Sequence, residues 1–173
     1  MNFVPECFFD TLIVITILGI KKVNHQKCCT KVANTMKRID DFAVGIIDKD
    51  KYQIEYLKEF DEHINTGNLI LWVHKNKKKR HYFIQIVPAI EKWVLLVAKE
   101  ANIKLSDFGL PTDLNKLGKR TKTDNIDDDP VLIKFCQHLV SCNSKSMATL
   151  SYWLNYLFEH NRNADINIMK EHV

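Results

Sequence analysis

The sequence predicts an α/β domain in which a mainly parallel sheet is flanked by helices. Strand-like and helix-like segments alternate along the first half of the chain, as they do in right-handed βαβ units. Glu6 follows the strand-like residues 2–5, and Asp48 and Asp50 follow the apolar residues 42–47. Because ligands of open α/β sheets bind beyond the carboxyl ends of the strands, we expect both acidic clusters at one edge.

Length and composition indicate one ordinary globular domain. The chain has 173 residues, which is enough for one substantial core and too few for two full-sized domains. With 46% hydrophobic and 27% charged residues and only 5 Gly and 4 Pro, the composition is not that of a disordered or fibrous protein. We expect an α/β core over residues 1–104 and a helical extension over residues 105–173 packed on the same domain.

Three strands and three helices are predicted before the first long turn. The strands cover residues 2–5, 20–24 and 42–47, and the helices cover residues 8–18, 27–39 and 52–63. Gly19 is expected to stop the first helix. Val32, Met36 and Ile39 recur at helical spacing in the second helix. The unbroken apolar run over residues 42–47 is typical of a strand buried on both faces.

Two more strands and a helix follow. Residues 65–68 predict a turn, after which residues 69–74 and 81–87 predict strands. These two strands are close enough in sequence to pair as an antiparallel hairpin or to flank a larger loop. Pro88 suits the first turn of a helix over residues 89–101. The apolar stripe of that helix consists of Ile90, Trp93, Val94 and Val97.

The C-terminal part is predicted to be helical. Residues 105–129 are polar and turn-rich, which indicates a surface segment with one short helix. Residues 130–142 and 145–161 predict a pair of helices. The side chains expected to pack against the sheet are Trp153, Leu154, Leu157 and Phe158.

Basic residues are concentrated in two runs. The net charge of +4 and the pI near 8.7 mildly favour a polyanionic partner. The denser run contains Lys75, Lys77, Lys78, Lys79, Arg80 and His81, and the looser one contains Lys116, Lys119, Arg120 and Lys122. Such runs are what a phosphate-contacting surface requires, although solvated loops explain isolated charge runs equally well.

The cysteines and the N-terminal apolar run favour a cytoplasmic protein. Cys7, Cys28, Cys29, Cys136 and Cys142 are an odd number without C-x-x-C spacing, so we interpret them as reduced thiols. Residues 8–20 resemble a signal sequence, but Asp10 lies inside the run and no basic residue precedes it. The run is also shorter than the roughly 20 residues that span a bilayer. We therefore expect a buried helix and no membrane.

Converging carboxylates at the sheet edge predict a divalent-metal site. Glu6, Asp48 and Asp50 would repel and desolvate one another if folding brought them together. A hard cation such as Mg²⁺, or Mn²⁺ in its place, relieves both costs through oxygen ligands.

These acidic motifs resemble those of Toprim domains, which have a Rossmann-like fold. Glu6-Cys7-Phe8-Phe9-Asp10 resembles the E-G-x-x-D opening of the family, with Cys7 where the family usually has glycine. Gly45-Ile46-Ile47-Asp48-Lys49-Asp50 resembles the later D-x-D motif. The matching part covers roughly the first half of the chain. Toprim domains occur in type IA and II topoisomerases, bacterial primases, recombination proteins, nucleases of the overcoming-lysogenization-defect type and small ribosomal-RNA maturation nucleases.

The resemblance implies roles for the matched acids. Glu6 would be a metal-associated acid or general base, and Asp48 and Asp50 would be Mg²⁺ ligands. Asp10 matches the acid in the helix after the glutamate. It is either a catalytic residue or an N-terminal helical acid that the helix dipole favours.

A third segment, Pro88-Ala89-Ile90-Glu91-Lys92-Trp93, resembles the P-x-I-E-x-W-like sequence of some Toprim-like nucleases. Glu91 would be a further metal ligand or a capping carboxylate.

A cationic group should also neutralise charge in the transition state. Lys49 is expected to alternate to the opposite side, which leaves Lys51, Lys75, Arg80 or His25 as candidates. His25 follows the predicted second strand at the same edge, although a lone histidine is more often structural or exposed.

The resulting hypothesis is a Mg²⁺-dependent nuclease or nuclease-like phosphodiester hydrolase that acts on DNA or RNA. The dense basic residues Lys75, Lys77, Lys78, Lys79 and Arg80 would contact the nucleic acid. Motifs of other chemistries, such as a phosphate loop, a nucleophile elbow or H-E-x-x-H, are absent from the sequence. A homodimer and a protein partner in a larger system both stay open.

Two alternatives remain. One is a non-catalytic nucleic-acid-binding or complex-assembly module with a degenerate Toprim fold. The other is a flavodoxin-like or response-regulator-like protein, whose strand-end acids also bind Mg²⁺ but which would not need Glu6.

Overall fold

The computed structural model describes residues 2–49, 54–122 and 128–172, which form a mixed sheet flanked by helices. Asp50 and Lys51 lie outside the described residues. The five strands are β1 (Phe3–Pro5), β2 (Ala43–Asp48), β3 (Phe60–Asn65), β4 (Leu69–His74) and β5 (His81–Ile86). The helices are α1 (Phe8–Leu18), α2 (Cys29–Lys37), α3 (Ile90–Glu100), α4 (Leu114–Thr121), α5 (Pro130–Val140), α6 (Lys145–His160) and α7 (Ile166–Glu171).

The order of strands places three carboxyl ends side by side. The sheet has the order β1-β2-β5-β4-β3, with β1, β2 and β5 parallel. Strands β4 and β3 add antiparallel neighbours, so the predicted α/β class is correct and the sheet is mixed. Pro5 lies opposite Ile46, and Asp48 lies opposite Ile86. The residues that follow β1, β2 and β5 therefore share one edge, which we call the carboxyl edge.

The first helix has the predicted bounds. Gly19 ends α1 with a positive φ of 62°, a conformation that glycine adopts without steric cost. At the other end, Cys7 and Asp10 form a reciprocal capping box in which each side chain accepts a hydrogen bond from the other residue's backbone N–H. Residues Phe9 to Val14 are buried, as expected for a helix of the core.

The predicted strand over residues 20–24 is wrong. This segment is irregular, but it runs beside β1: Asn24 N–H donates to Phe3 O over 3.1 Å and Gln26 N–H to Pro5 O over 3.0 Å. Because β1 is only 3 residues long, it offers few backbone groups for a regular ladder at its outer side. The segment still brings His25 to the carboxyl edge.

The predicted helix over residues 52–63 is also wrong where the structure describes it. Glu55–Glu59 is a 3₁₀ helix, and the chain then continues as strand β3. Tyr56, Phe60 and Ile64 are buried at a spacing of four, which fits one face of a helix. In the strand, Phe60 and Ile64 face opposite sides of the sheet, because the pairing register shifts before Ile64. The turn at residues 65–68 allows the segment to pair with β4, which selects the strand.

The second half of the chain follows the prediction closely. Strands β4 and β5 form the antiparallel hairpin, and the stripe Ile90, Trp93, Val94 and Val97 of α3 is buried. Helices α5 and α6 form the expected pair, with Trp153, Leu154 and Leu157 fully buried. Phe158 is half-buried, and its ring centroid lies 6.2 Å from that of Phe3. The short helices α4 and α7 complete the C-terminal part, and α7 was not predicted.

Two hydrophobic clusters cover the two faces of the sheet. Helices α1, α3, α5 and α6 pack on one face around Val44, Ile46 and Ile84. Helix α2 and the 3₁₀ helix pack on the other face around Ala43, Ile47 and Phe83. Gly45 lies on this second face, where a Cβ atom would come within 2.5 Å of Phe83 Cε1 and 2.6 Å of Met36 Sδ. The absence of a side chain is therefore a packing requirement at this position.

Two further expectations concern the state of the cysteines and the presence of membrane-spanning helices. All five cysteines are thiols, and burial raises the pKa of Cys136 to about 12. Among the described residues, none of the helices combines the length and the hydropathy that a bilayer-spanning segment needs.

Candidate active site at the carboxyl edge of the sheet

Glu6 and Asp48 meet where β1 and β2 end. The backbone N–H of Glu6 extends the ladder by donating to Ile46 O over 3.0 Å. The backbone N–H of Asp48, the last residue of β2, donates to Glu6 Oε2 over 3.1 Å. The parallel register therefore brings a glutamate side chain onto the end of the neighbouring strand. Folding joins the N-terminal acid to the first aspartate of the D-x-D sequence, and the second, Asp50, lies outside the described residues.

The Asp48 side chain connects β2 to α3. Its Oδ1 accepts a hydrogen bond from the backbone N–H of Ile90, the first residue of the helix, over 2.9 Å. Ala89 at the N-cap position of α3 has no side chain that could do this. Asp48 thus caps the helix from another strand, and the partial positive charge of the helix N-terminus stabilises its carboxylate.

Glu91 lies in the first turn of α3, at the same edge. Its Oε1 accepts a hydrogen bond of 3.0 Å from Oγ1 of Thr121, the last residue of α4. Thr121 is 1% exposed, so the contact fixes the Glu91 carboxylate against the protein on one side. The contact with Thr121 does not use the other oxygen, Oε2, which could therefore bind a ligand in the cavity.

Asp10 is a buried fourth acid behind the site. Its Oδ2 accepts from the Cys7 backbone N–H over 3.2 Å, whereas Oδ1 is buried without a hydrogen-bond partner among the described residues. Burial raises the pKa of the Asp10 carboxyl well above its usual range, and the charges of Asp48 and Glu6 raise it further. The capping interpretation of Asp10 agrees with its contacts, and its proximity to two other acids adds a cost that a proton or a cation relieves.

A cavity of about 610 Å³ opens onto these acids. Glu6, Asp48 and Glu91 line it, and its cationic residues are Lys27, Lys49 and Lys122, with His25 beside them. Lys49, which is expected to alternate to the opposite side, is among the residues that line the cavity. Its backbone N–H donates to Ile86 O over 2.8 Å, which keeps the chain after β2 close to the end of β5.

His25 has defined contacts at the cavity wall. Its ring stacks on Phe8 with a centroid separation of 4.2 Å, and its Nδ1 lies 2.9 Å from Thr11 Oγ1. The Thr11 hydroxyl donates its proton to Cys7 O over 2.8 Å, so Nδ1 of His25 carries a proton and donates to Thr11. In the neutral ring, Nε2 then has the lone pair.

The predicted nucleic-acid-binding run lies elsewhere. Lys75, Lys77, Lys78, Lys79 and Arg80 are in the β4–β5 hairpin, at the amino end of β5. Strand β5 has 6 residues, which places the hairpin about 20 Å from the carboxyl edge at the usual rise per residue. Lys75 and Arg80 are thus too far away to neutralise charge beside Glu6 and Asp48.

The structure adds residues that the sequence did not indicate. Lys122 and Lys27 line the cavity, and Thr121 contacts Glu91. The second basic run was noted, but only the packing of α4 beside α3 shows that its last lysine reaches the acids. Thr121 and Glu91 are 30 residues apart, and no local pattern connects them.

The donor set suits a hard divalent cation. In residues 2–49, 54–122 and 128–172, no three His, Cys, Asp or Glu side chains are already arranged around one point as metal ligands. The acids at the carboxyl edge nevertheless offer only oxygen donors, and the buried, unpartnered Oδ1 of Asp10 lies behind them. Oxygen donors fit Mg²⁺ or Mn²⁺ better than softer metals.

The comparisons with known proteins leave the family open. The chain matches no protein-family model, no curated protein and no solved structure.

Proposed function

We propose that this chain is a Toprim-like, Mg²⁺-dependent nuclease that hydrolyses phosphodiester bonds in DNA or RNA. The observation that carries the proposal is the meeting of Glu6 and Asp48, joined by a hydrogen bond of 3.1 Å at the mouth of an open cavity. These are the two positions at which the E-G-x-x-D and D-x-D resemblance requires acids. The arrangement is not needed for a response-regulator-like protein, which has no role for Glu6.

Glu6, Asp48 and Asp50 would hold the metal, with Glu91 as a further ligand through Oε2. The bound cation would polarise a phosphoryl oxygen and lower the pKa of a water molecule. Glu6 orients the site through Asp48, since its Oε2 accepts from the Asp48 backbone N–H. Asp48 in turn positions the start of α3, since its Oδ1 accepts from the Ile90 backbone N–H.

The cations of the cavity would bind the substrate. Lys27, Lys49 and Lys122 place positive charge in the same cavity as the acids, as a site for a phosphate beside a metal requires. His25, which stacks on Phe8 and contacts Thr11, lines the same cavity and would be the candidate for proton transfer. The partner is accordingly a polyanion, and the net charge of +4 favours its approach.

A second candidate is a nucleic-acid-binding or complex-assembly module without catalysis. The observation that favours it is that Glu6 and Asp48 both serve the fold, one by bonding to β2 and the other by capping α3. Carboxylates with such contacts stabilise the protein whether or not a metal binds.

Cleavage of end-labelled DNA and RNA in Mg²⁺ or Mn²⁺ distinguishes the two candidates. Asp48→Asn and Glu6→Gln are the informative variants, because each amide retains an oxygen that accepts the backbone hydrogen bond while the charge is removed. The matched control is Asp107→Asn, an exposed acid of a 3₁₀ helix outside the cavity. Metal-dependent cleavage that both site variants abolish and the control retains supports the nuclease. Metal-independent binding that neither site variant changes, without cleavage, supports the module.

A further inference from the structure

A second cavity lies at the opposite edge of the sheet. It has a volume of about 700 Å³ between the β4–β5 hairpin and the C-terminal segment around α7. We call it the hairpin cleft and define it by Asp61, Lys75, Lys77, Arg80, Arg162 and Lys170. The hairpin cations were already noted in the sequence, whereas Arg162 and Lys170 reach the same cavity only through the packing of the C-terminal segment.

The hairpin cleft has an excess of positive charge. Five cationic side chains and two carboxylates line it. Asp61 lies 3.8 Å from Lys75 Nζ, and Arg162 forms an ion pair with Asp41. The other acid of the cleft, Asp165, accepts from the Asn167 backbone N–H as the N-cap of α7. Within the described part of the chain, no carboxylate lies at ion-pair distance from Lys77, Arg80 or Lys170.

The hairpin that presents these cations is ordered by its own contacts. Asn76 accepts from the Lys78 backbone N–H through Oδ1 and from the Lys79 backbone N–H through its carbonyl oxygen, each over 3.0 Å. The Asn76 backbone N–H donates to His74 Nδ1 over 2.9 Å. Lys75 Nζ donates to Lys58 O over 2.8 Å, so this lysine joins the hairpin to the 3₁₀ helix. A ligand therefore meets a turn whose backbone is already fixed.

The two walls of the cleft act on each other electrostatically. Burial lowers the pKa of His63 on β3, and the charge of Lys170 on α7 lowers it further. Lys170 and the hairpin cations Lys75, Lys77 and Arg80 line the same cavity. Positive charge from the C-terminal segment and from the hairpin therefore acts on one space.

We propose that the hairpin cleft binds backbone phosphates of a nucleic acid at a site separate from the carboxyl edge. Its cations come from a hairpin, a 3₁₀ turn and a helix, and this spread suits successive phosphates along a chain better than a single phosphate ion. About 20 Å of strand separates the two sites, so a nucleic acid that reaches both must extend along the sheet. The identity of the polyanion rests on the proposed function, but the binding site itself does not.

Fluorescence anisotropy of labelled duplex and single-stranded DNA and RNA in EDTA, over a series of salt concentrations, tests this site. The test variant is Lys77→Ala/Arg80→Ala/Lys170→Ala. The control, Lys99→Ala/Lys104→Ala/Lys134→Ala, removes the same charge from exposed positions outside the cleft. We expect the cleft variant to bind about tenfold more weakly or worse at low salt, and its log–log salt slope to fall by about 2 to 3. The control should bind within about twofold of the wild type, since non-contacting charges act only through screened fields.

Equal losses in the two triple variants, or no loss in either, would overturn the proposal. If the triple cleft variant fails to fold, the single exposed substitution Lys77→Glu replaces it and should weaken binding more than Lys99→Glu. Vesicles that contain phosphatidylserine, and inorganic phosphate at millimolar concentration, serve as competitors. If either one displaces the nucleic acid from the cleft, the proposal is also contradicted. Binding is measured in EDTA, where no divalent cation can occupy the carboxyl edge, so the assay reports on the cleft and not on cleavage. If the protein does not cleave nucleic acid but its binding depends on the cleft, only the proposed function is therefore refuted. If the protein cleaves nucleic acid but its binding does not depend on the cleft, only this site is refuted.

Discussion

The backbone N–H of Asp48 donates a hydrogen bond to Oε2 of Glu6, although the two residues are 42 positions apart. The bond forms because β1 and β2 are parallel neighbours that end together, with Pro5 opposite Ile46. It makes the Glu6 side chain part of the sheet edge. This hydrogen bond is therefore a structural contact, and in the proposed function it also positions two ligands of the metal ion.

Glu6→Gln and Glu6→Ala should separate these two roles. The amide retains an oxygen acceptor for the Asp48 N–H, so Glu6→Gln should change the free energy of unfolding by less than about 0.5 kcal/mol. Glu6→Ala loses the hydrogen bond and should cost about 1 kcal/mol. Both variants should reduce metal-dependent cleavage by about a hundredfold or more. Urea denaturation and cleavage rates are the measurements, and full activity of Glu6→Gln would exclude a role for the charge.

Asp10 should make the stability of the protein depend on pH. Its folded-state pKa is raised, first by burial and then by Asp48 and Glu6, so the folded protein favours the neutral carboxyl. This contribution is present in full below the ordinary aspartate pKa and is lost as the pH rises toward the folded-state value. Asp10→Asn removes the titration and keeps an oxygen for the Cys7 N–H.

Urea denaturation in EDTA measures this effect. Asp10→Asn should gain stability relative to the wild type as the pH rises from about 4 upward, because only the wild type titrates there. A saturating divalent cation should reduce the difference if it binds beside Asp10. A difference between the two proteins that is constant with pH would show that Asp10 does not titrate with a raised pKa.

Gly45→Ala should destabilise the sheet through overpacking. The new Cβ atom would lie 2.5 Å from Phe83 Cε1 and 2.6 Å from Met36 Sδ, both in a fully buried cluster. We expect a loss of about 1 to 3 kcal/mol. Gly118→Ala in α4 is the matched control, since its nearest neighbour would be Glu91 Oε1 at 3.9 Å. That change should stabilise the helix by about 0.5 to 1 kcal/mol, and urea denaturation of both variants checks the opposite signs.

Thr121→Val should loosen the Glu91 carboxylate. The substitution keeps the shape of a buried side chain and removes the 3.0 Å hydrogen bond to Oε1. The expected cost is about 1 kcal/mol of stability, and Mn²⁺ affinity measured by isothermal titration calorimetry should fall. Thr149→Val in α6 is a control, because this buried threonine lies away from the cavity. Unchanged Mn²⁺ affinity in Thr121→Val, alongside an effect of Glu6→Gln, would remove Glu91 from the proposed ligand set.

The sequence predicted those helices whose ends and buried faces are determined by residues within the helix itself. Gly19 and the capping residues Cys7 and Asp10 bound α1, and the stripe from Ile90 to Val97 orients α3. The meeting of Glu6 and Asp48 followed from a topological rule, because parallel strands end at a common edge. In each of these cases the decisive interaction is either within one helix or between neighbouring strands.

The errors occurred where tertiary pairing decides between alternatives. The spacing of Tyr56, Phe60 and Ile64 fits a helix, and only an irregular pairing with β4 makes the segment strand β3. The hairpin cations are at the opposite edge because they directly precede β5, whose carboxyl end lies beside Asp48. Contacts such as Thr121 with Glu91 depend on how α4 packs beside α3.

Anomalous diffraction from a crystal soaked in Mn²⁺ would show whether Glu6 and Asp48 bind one metal ion. We expect a strong peak at the carboxyl edge, within coordination distance of carboxylate oxygens of both residues, that is lost in Asp48→Asn. The absence of a peak in the wild type, or a peak that contacts neither Glu6 nor Asp48, would contradict this expectation.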